Sequence, residues 1–486
     1  MKYYDQLASK DVFHFFEVIS NIPHCSFEEQ QISDYLVQFA KERGLEYHQD
    51  EKLNVIIKKK AFAGYENAPA MILQSHIDMV CEKNASKVHN FQTDAIVHVI
   101  KEDMLFADGT TLGADNGIAV AMSLALLDSK DIPHPKLECL FTVQEEVGLL
   151  GAQEIDATKL DGKYLINIDS EEEGTFLVSC AGGCRADISI PVSWTILDGE
   201  FEMCTITLSG LKGGHSGISI HEERGNSIKL ISRLLSELQK DIDLEIQSID
   251  GGSKDNAIPR EAVAVIAINK GSMDTLKEKL VHWQEIFNNE LQSKDNALTL
   301  SAEIIESNKI SVFDQSTKRN ILALLSLASN GVHTMSANIH GLVESSKNLG
   351  VIKTESDSFT ASFSIRSSVE SLLFSQINVL EQLTALLGGE IGIRGLYPGW
   401  EYNPESKLRE LFISTYKDVH GQEPKVEAIH AGLECGILKK KLGDVDIISL
   451  GPDIFDPHSP DEHVRISSVD RVYTFLLEVL KRTNTL

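Results

Sequence analysis

No run of 18 or more apolar residues occurs in the 486-residue chain. A helix needs about that many to span a bilayer, so no membrane span is expected. Met1 to Lys10 is polar and charged, so no secretory leader is expected. Basic residues are scarce: 45 Lys and Arg stand against 72 Asp and Glu, for a formal net charge of −27. A field of that sign repels phosphate backbones and anionic lipid surfaces, which argues against nucleic acid and membranes as partners. Cysteine is sparse and scattered, as Cys25, Cys81, Cys139, Cys180, Cys184, Cys204 and Cys435. The odd number and the absence of CxxC spacing speak against a disulfide framework or a zinc ribbon, and a reducing, cytoplasmic compartment is expected. Cys180 and Cys184, in CAGGC, read as part of a tight loop of small residues rather than as metal ligands. No internal repeat or low-complexity tract stands out.

The length suits two or three domains, and an apolar content of 42% suits a packed core in each. Residues 70–74 (AMILQ), 137–143 (LECLFTV) and 164–168 (YLINI) read as buried strands, and 118–127 (IAVAMSLALL) as a buried helix. Near-continuous apolar strands alternating with helices indicate an α/β domain, its mainly parallel central sheet flanked by helices. After about residue 186 the pattern changes. Alternating strands at 201–208, 262–269 and 359–365 are interleaved with helices near 226–239, 274–291 and 372–387, which suggests a smaller α+β domain. From about Trp400 the strand–helix alternation returns and ends in a helix at 469–482. The predicted organisation is one α/β domain built from residues 1–186 and 399–486, interrupted by an α+β insert at 187–398.

Each buried strand delivers polar residues at its C-terminal end. His76 and Asp78 follow the first, Glu145 and Glu146 the second, and Asp169 the third. Asp115 lies in GADNG, just before the buried helix, and His458 lies near the C-terminus. Open α/β sheets place their sites in the crevice beyond the strand carboxyl ends. Imidazole nitrogens and carboxylate oxygens are zinc ligands. Two ions about 3.5–4 Å apart need a bridging carboxylate with further ligands on each side. The residues named above supply one bridge and two ligands per ion. Taken singly they have plainer readings: His76-x-Asp78 fits a surface turn, Asp115 a helix cap, and Glu145-Glu146 a solvated loop. His463 competes with His458 for the last position, while His215 and His430 fit no ligand slot.

His76-Ile77-Asp78, LGADNG at 112–117, Glu145-Glu146 with Gly148, Asp169, and His458-Ser459-Pro460-Asp461-Glu462 resemble the five signatures of co-catalytic zinc exopeptidases, relatives of carboxypeptidase G and aminoacylase. SHIDMV, CAGG, GLKGGHSG, HAGLECG and GPDIFDPHSPDEHV are similar to the aminoacyl-histidine dipeptidase branch. The likeness runs in order along essentially the whole chain, insert included. It implies a catalytic domain with an inserted lid and dimerisation domain, a homodimer formed through that lid, and a short peptide substrate. It also implies two zinc ions per chain, replaceable by cobalt or manganese: His76 and Asp169 hold one, Glu146 and His458 the other, and Asp115 bridges them. Asp78 would fix the His76 imidazole from behind, and the Asp115–Asn116 peptide would be cis.

A pair of zinc ions lowers the pKa of a shared water toward about 7. Glu145, beside a ligand but not needed as one, is the expected general base. His215, in the Gly-rich loop, is the candidate donor to the oxyanion, reaching the active site across the dimer interface in relatives. Arg366, closing the strand FTASFSIR, is placed to bind a substrate carboxylate. Asn256 in KDNAIPR resembles the family's substrate-contacting asparagine, and Gly432-Leu433-Glu434 is expected to line the catalytic-domain side of the pocket. The expected activity is hydrolysis of dipeptides, Xaa-His among them. An N-acyl amino acid deacylase or a tripeptidase on the same ions stays open.

Overall fold

The computed structural model describes residues 6–306 and 311–486. Residues 1–5, part of the polar N-terminus noted above, lie outside the described residues. The chain divides into two compact units. Met1–Ser179, Tyr402–Ala428 and Leu433–Leu486 form the first; Cys180–Glu401 and Ile429–Gly432 form the second. The boundary placed at 186/187 on sequence falls inside the strand Gly182–Pro191, which belongs to the second unit.

An eight-stranded sheet centres the first unit. Its middle strands, Leu137–Thr142, Met71–His76, Tyr164–Ile168 and Asp446–Leu450, lie side by side and run parallel. Glu46–Gln49 and Val55–Lys59 add antiparallel strands at one edge. Every residue of Met71–His76 and Leu137–Thr142 is buried, as expected where helices cover both sheet faces. The helix Ala114–Asp128 packs on Met71–His76 and on the helix Lys10–Ile19. It is buried around its whole circumference from Ile118 to Leu127, with Ser123 its one polar residue there, so it is a core helix rather than an amphipathic one. Because the central strands share one direction, their carboxyl ends lie at one edge of the sheet. A small sheet of Ile454–Phe455, His463–Arg465, Met104–Ala107 and His98–Lys101 carries the turn that contains His458.

The second unit is built on a nine-stranded sheet. Its first half runs strand Phe201–Ser209, helix Ser227–Leu238, strands Leu244–Gly251 and Ala262–Asn269, helix Met273–Leu291 and strand Thr299–Ile305. Its second half runs strand Gly182–Pro191, helix Gln315–Leu327, strands Val343–Thr354 and Ser358–Ser367, helix Glu370–Leu386 and strand Glu390–Tyr397. Numbered within each half, the strands lie in the order 4-1-3-2 and then 2-3-1-4 across the sheet, joined where Gly251 pairs with Ile352. The topology is therefore repeated, although no repeat is visible in the sequence. Pairing order is a long-range property, and only the apolar faces need be kept to maintain it. In the helix Ser227–Leu238 the buried Ile228, Ile231, Leu234, Leu235 and Leu238 follow the helical spacing, and the Asn226 side chain caps the free amides of Ile228 and Lys229. Each such apolar side chain contributes about 1.5–3 kcal/mol on burial.

Two expectations about cysteine need correction. CAGGC is not a tight loop: it joins the strands Thr175–Cys180 and Gly182–Pro191. Its glycines are required by close backbone approach, since a Cβ on Gly182 would lie 2.4 Å from the Gly399 nitrogen. Cys180 and Cys184 are both buried. The chain also carries a disulfide, Cys25–Cys81, with Cα atoms 5.7 Å apart. The two residues meet because Cys25 pairs with Met79 as an isolated bridge. No helix of the described residues is long and apolar enough to cross a membrane.

Candidate active site

Asp115 lies between two histidines. Its Oδ1 is 3.2 Å from His76 Nε2, and its Oδ2 is 3.2 Å from His458 Nε2. His76 Nε2 is also 3.4 Å from Asp169 Oδ1, and His458 Nε2 is 3.0 Å from Glu146 Oε1. The ligand atoms of His76, Asp115 and Asp169 lie within 4.8 Å of one another, as do those of Asp115, Glu146 and His458. Two ligands about 2.0–2.1 Å from one tetrahedral zinc stand roughly 3.3 Å apart, so these separations fit two ions sharing Asp115. Glu146 Oε1 is buried, with His458 Nε2 near it. His76, Glu145 and Glu146 form a third such grouping, which brings Glu145 to the same centre.

The surrounding chain fixes these groups. His76 ends its strand, and its Nδ1 faces the Asp78 main-chain carbonyl at 3.0 Å. The Asp78 carboxylate, expected to orient the ring, is farther, at 3.5 Å. It accepts from Ser26 Oγ (2.8 Å) and from the amides of Glu145 (3.0 Å) and Glu146 (3.3 Å), and so holds the loop that carries those two residues. The Asp115–Asn116 peptide is cis, as the resemblance implies. Asn116 donates to the Ile168 carbonyl and to Asp169 Oδ1, at 2.7 and 2.9 Å. The His463 ring stacks between Phe106 and Phe455.

The electrostatics are those of a site crowded with carboxylates. Burial disfavours the His76 imidazolium, but Asp115, Asp169 and Asp78 outweigh it and hold its pKa well above the ordinary value. Asp115 and Glu146 raise His458 to about 10. Burial also pushes up Asp115, yet His458 and His76 reverse that and hold it below the usual range. Glu145 is raised well above its usual value by burial, with the negative charges of Asp169, Glu434 and Glu146 adding to it. Glu434 is fully buried, accepts from Gln74 and Thr142, and is pushed up to about 8, chiefly by burial. Divalent cations relieve such an excess of buried negative charge.

His215, Asn256, Arg366 and Gly432 all belong to the second unit. His215 pairs with Ala257, next to Asn256, whose carbonyl accepts the Ser216 amide. Arg366 is 5% exposed; it donates to Tyr397 Oη at 3.1 Å, approaches His215 Nε2 at 3.5 Å, and its Nε has no hydrogen-bond partner. Burial, with Arg366 and Arg185 adding, lowers the pKa of His215. Gly432 does not fall on the catalytic-domain side as expected. It packs against Tyr397, which a Cβ there would approach to 2.8 Å. Sequence reasoning gave no role to Asn116, nor to Glu462 beyond its place in a motif. Glu462 is buried and accepts the amides of Leu112, Gly113, Ala114 and Asp115.

Over 98% of both chains, this one is 39% identical to the cytosol non-specific dipeptidase of Escherichia coli. The crystal structure of an aminoacylhistidine dipeptidase from Vibrio alginolyticus matches with a TM-score of 0.95 and 38% identity, covering 99% of this chain and 98% of that one. Residues 206–295 match the peptidase dimerisation domain of the M20 peptidases. The chain belongs to the M20 peptidase family. An M20 metallo-carboxypeptidase of Sulfolobus solfataricus shares the M20 fold at a TM-score of 0.53 and 15% identity, covering 98% of this chain and 100% of that one. The matched segment of this M20 peptidase spans most of the first half of its nine-stranded sheet.

Proposed function

We propose that this M20 peptidase is a cytoplasmic di-zinc dipeptidase that hydrolyses unspecific dipeptides, Xaa-His among them, with cobalt or manganese able to replace zinc. The observation that carries the reading is the position of Asp115, shared between the His76–Asp169 and Glu146–His458 ligand pairs. The named activities of the two relatives that match over the whole chain support it.

His76 and Asp169 would hold one ion and Glu146 and His458 the other, with Asp115 shared between the two pairs. When bound, the ions supply an activated water and a Lewis acid for the scissile carbonyl. Asp78 keeps Glu145 and Glu146 in place through their amides, so one carboxylate serves as ligand and its neighbour faces the reaction. Glu145 takes the proton from the attacking water and delivers it to the departing amine. Arg366, a buried guanidinium with an unpaired Nε, receives the substrate carboxylate. His215, deprotonated at one nitrogen near neutral pH, donates from the other to the oxyanion, and Asn256 adds a polar contact to the peptide. A homodimer through the second unit is the expected assembly. Strands Thr299–Ile305 and Glu390–Tyr397 end its sheet, and Phe374, Val379, Leu386 and Leu396 are exposed on it.

The deciding experiment joins a metal count to a substrate comparison. About two zinc ions per chain, with turnover of carnosine and simple Xaa-His dipeptides exceeding that of N-acetyl amino acids, support the reading. Preference for the acetylated compounds would make the protein a deacylase. Absence of dipeptide hydrolysis with zinc, cobalt and manganese alike would defeat it.

A further inference from the structure

The Cys25–Cys81 bridge takes no part in the proposed hydrolysis, yet it joins two segments that support the metal centre. Cys25 lies between the helices Lys10–Ile19 and Gln30–Arg43. Its segment grips the loop after His76 at neighbouring points. The His24 carbonyl accepts the Met79 amide at 3.1 Å, Cys25 pairs with Met79, and Ser26 Oγ donates to Asp78 Oδ2 at 2.8 Å. Glu29, farther along, accepts the Gln144 amide at 3.2 Å, just before Glu145 and Glu146. Asp78 accepts the amides of those two residues. The bridge therefore closes a piece of chain that holds both the strand-end loop and the base and ligand loop.

Accessibility separates this pair from the other cysteines. Cys25 and Cys81 are half-buried, whereas Cys139, Cys180, Cys184, Cys204 and Cys435 are buried. A disulfide open to thiols is of the labile kind, and in a reducing compartment such a pair is transient and redox-sensing.

We propose that Cys25–Cys81 is a reversible thiol–disulfide exchange site for small dithiols and disulfides, and that its closed state stiffens the Asp78 frame and slows the loss of metal. The proposal rests on the metal centre described above. On opening, a reagent thiolate attacks one sulfur, the Sγ–Sγ bond breaks and a mixed disulfide forms. The reagent's second thiol then displaces the protein sulfur. The dithiol is oxidised to a disulfide, two electrons pass to the protein, and both cysteines end protonated. Closing is the reverse, with oxidised glutathione as the two-electron acceptor.

The test uses zinc-loaded enzyme, closed with oxidised glutathione or opened with a dithiol that is then removed without air. Opening adds two reactive thiols to the native protein and speeds metal release to excess chelator about tenfold. The Cys25→Ser/Cys81→Ser double variant releases metal at the opened rate after either treatment. Release rates that agree within about twofold in the two states overturn the proposal, as does a pair that glutathione cannot close. Protein that binds no metal in either state overturns both this proposal and the metal centre. A release rate that responds to redox state in protein without dipeptidase activity overturns the dipeptidase reading and leaves this one standing.

Discussion

Glu462 and Asp115 are 347 positions apart in the chain, yet a Glu462 oxygen accepts the Asp115 amide at 3.3 Å. The same carboxylate accepts the amides of Leu112, Gly113 and Ala114 at 2.8, 3.0 and 2.7 Å. Consecutive N–H groups in the turn that leads into the core helix thus converge on one buried acid, as backbone amides do around an anion. Asp115 is presented by a turn that the opposite end of the chain holds in shape.

Removing that acid should loosen the turn. Glu462→Ala is expected to weaken metal affinity by about 10- to 100-fold, as loss of a group supporting a ligand does. Competition with a chromophoric chelator measures it. An unchanged dissociation constant would show that the turn keeps its shape without Glu462.

Glu145→Gln tests the base separately from the ions. The amide is nearly isosteric and leaves every proposed ligand intact, so the variant should bind metal as the parent does and lose about 10²–10⁴-fold in kcat. Metal content and turnover are read on the same sample. Turnover close to parental would assign the proton transfer to another group.

Arg366→Ala should act on binding more than on chemistry. KM should rise for dipeptides with a free carboxylate, with a much smaller change for their C-terminal amides. Equal loss on both substrates would mean that the buried guanidinium serves its own unit and not the substrate.

Lys347 offers a test of stability apart from the reaction. It is fully buried, its Nζ has no hydrogen-bond partner, and burial, with Lys229 adding, lowers its pKa from 10.5 to about 8. Between these two values the folded chain has lost a proton that the unfolded chain keeps, so this group's contribution to stability rises with pH across that window. Below about pH 8 its charge is a cost, and Lys347→Met is expected to stabilise the protein at pH 7 by about 2–3 kcal/mol. That gain should shrink as the pH approaches 10.5. Urea unfolding of both proteins at neutral and alkaline pH measures it. A variant less stable than the parent at pH 7 would show that the ammonium has a stabilising role.

The sequence by itself determined the kinds of element and the chemistry available to them. Strands such as Tyr164–Ile168 and the core helix holding Ile118–Leu127 are legible because hydrophobic period is a local property of the chain. His76, Asp115, Glu145, Glu146, Asp169 and His458 were legible as donors because the chain offers them at strand ends or in turns beside recognisable motifs. Tertiary structure alone decided which groups complete one another. The convergence of amides on Glu462, the Asp78 carboxylate beneath the Glu145 and Glu146 amides, the Cys25–Cys81 bridge and the doubled order of the nine-stranded sheet all join distant stretches of chain. A buried amide is satisfied by whichever acceptor packing brings within about 3 Å, and no local pattern records which one that is.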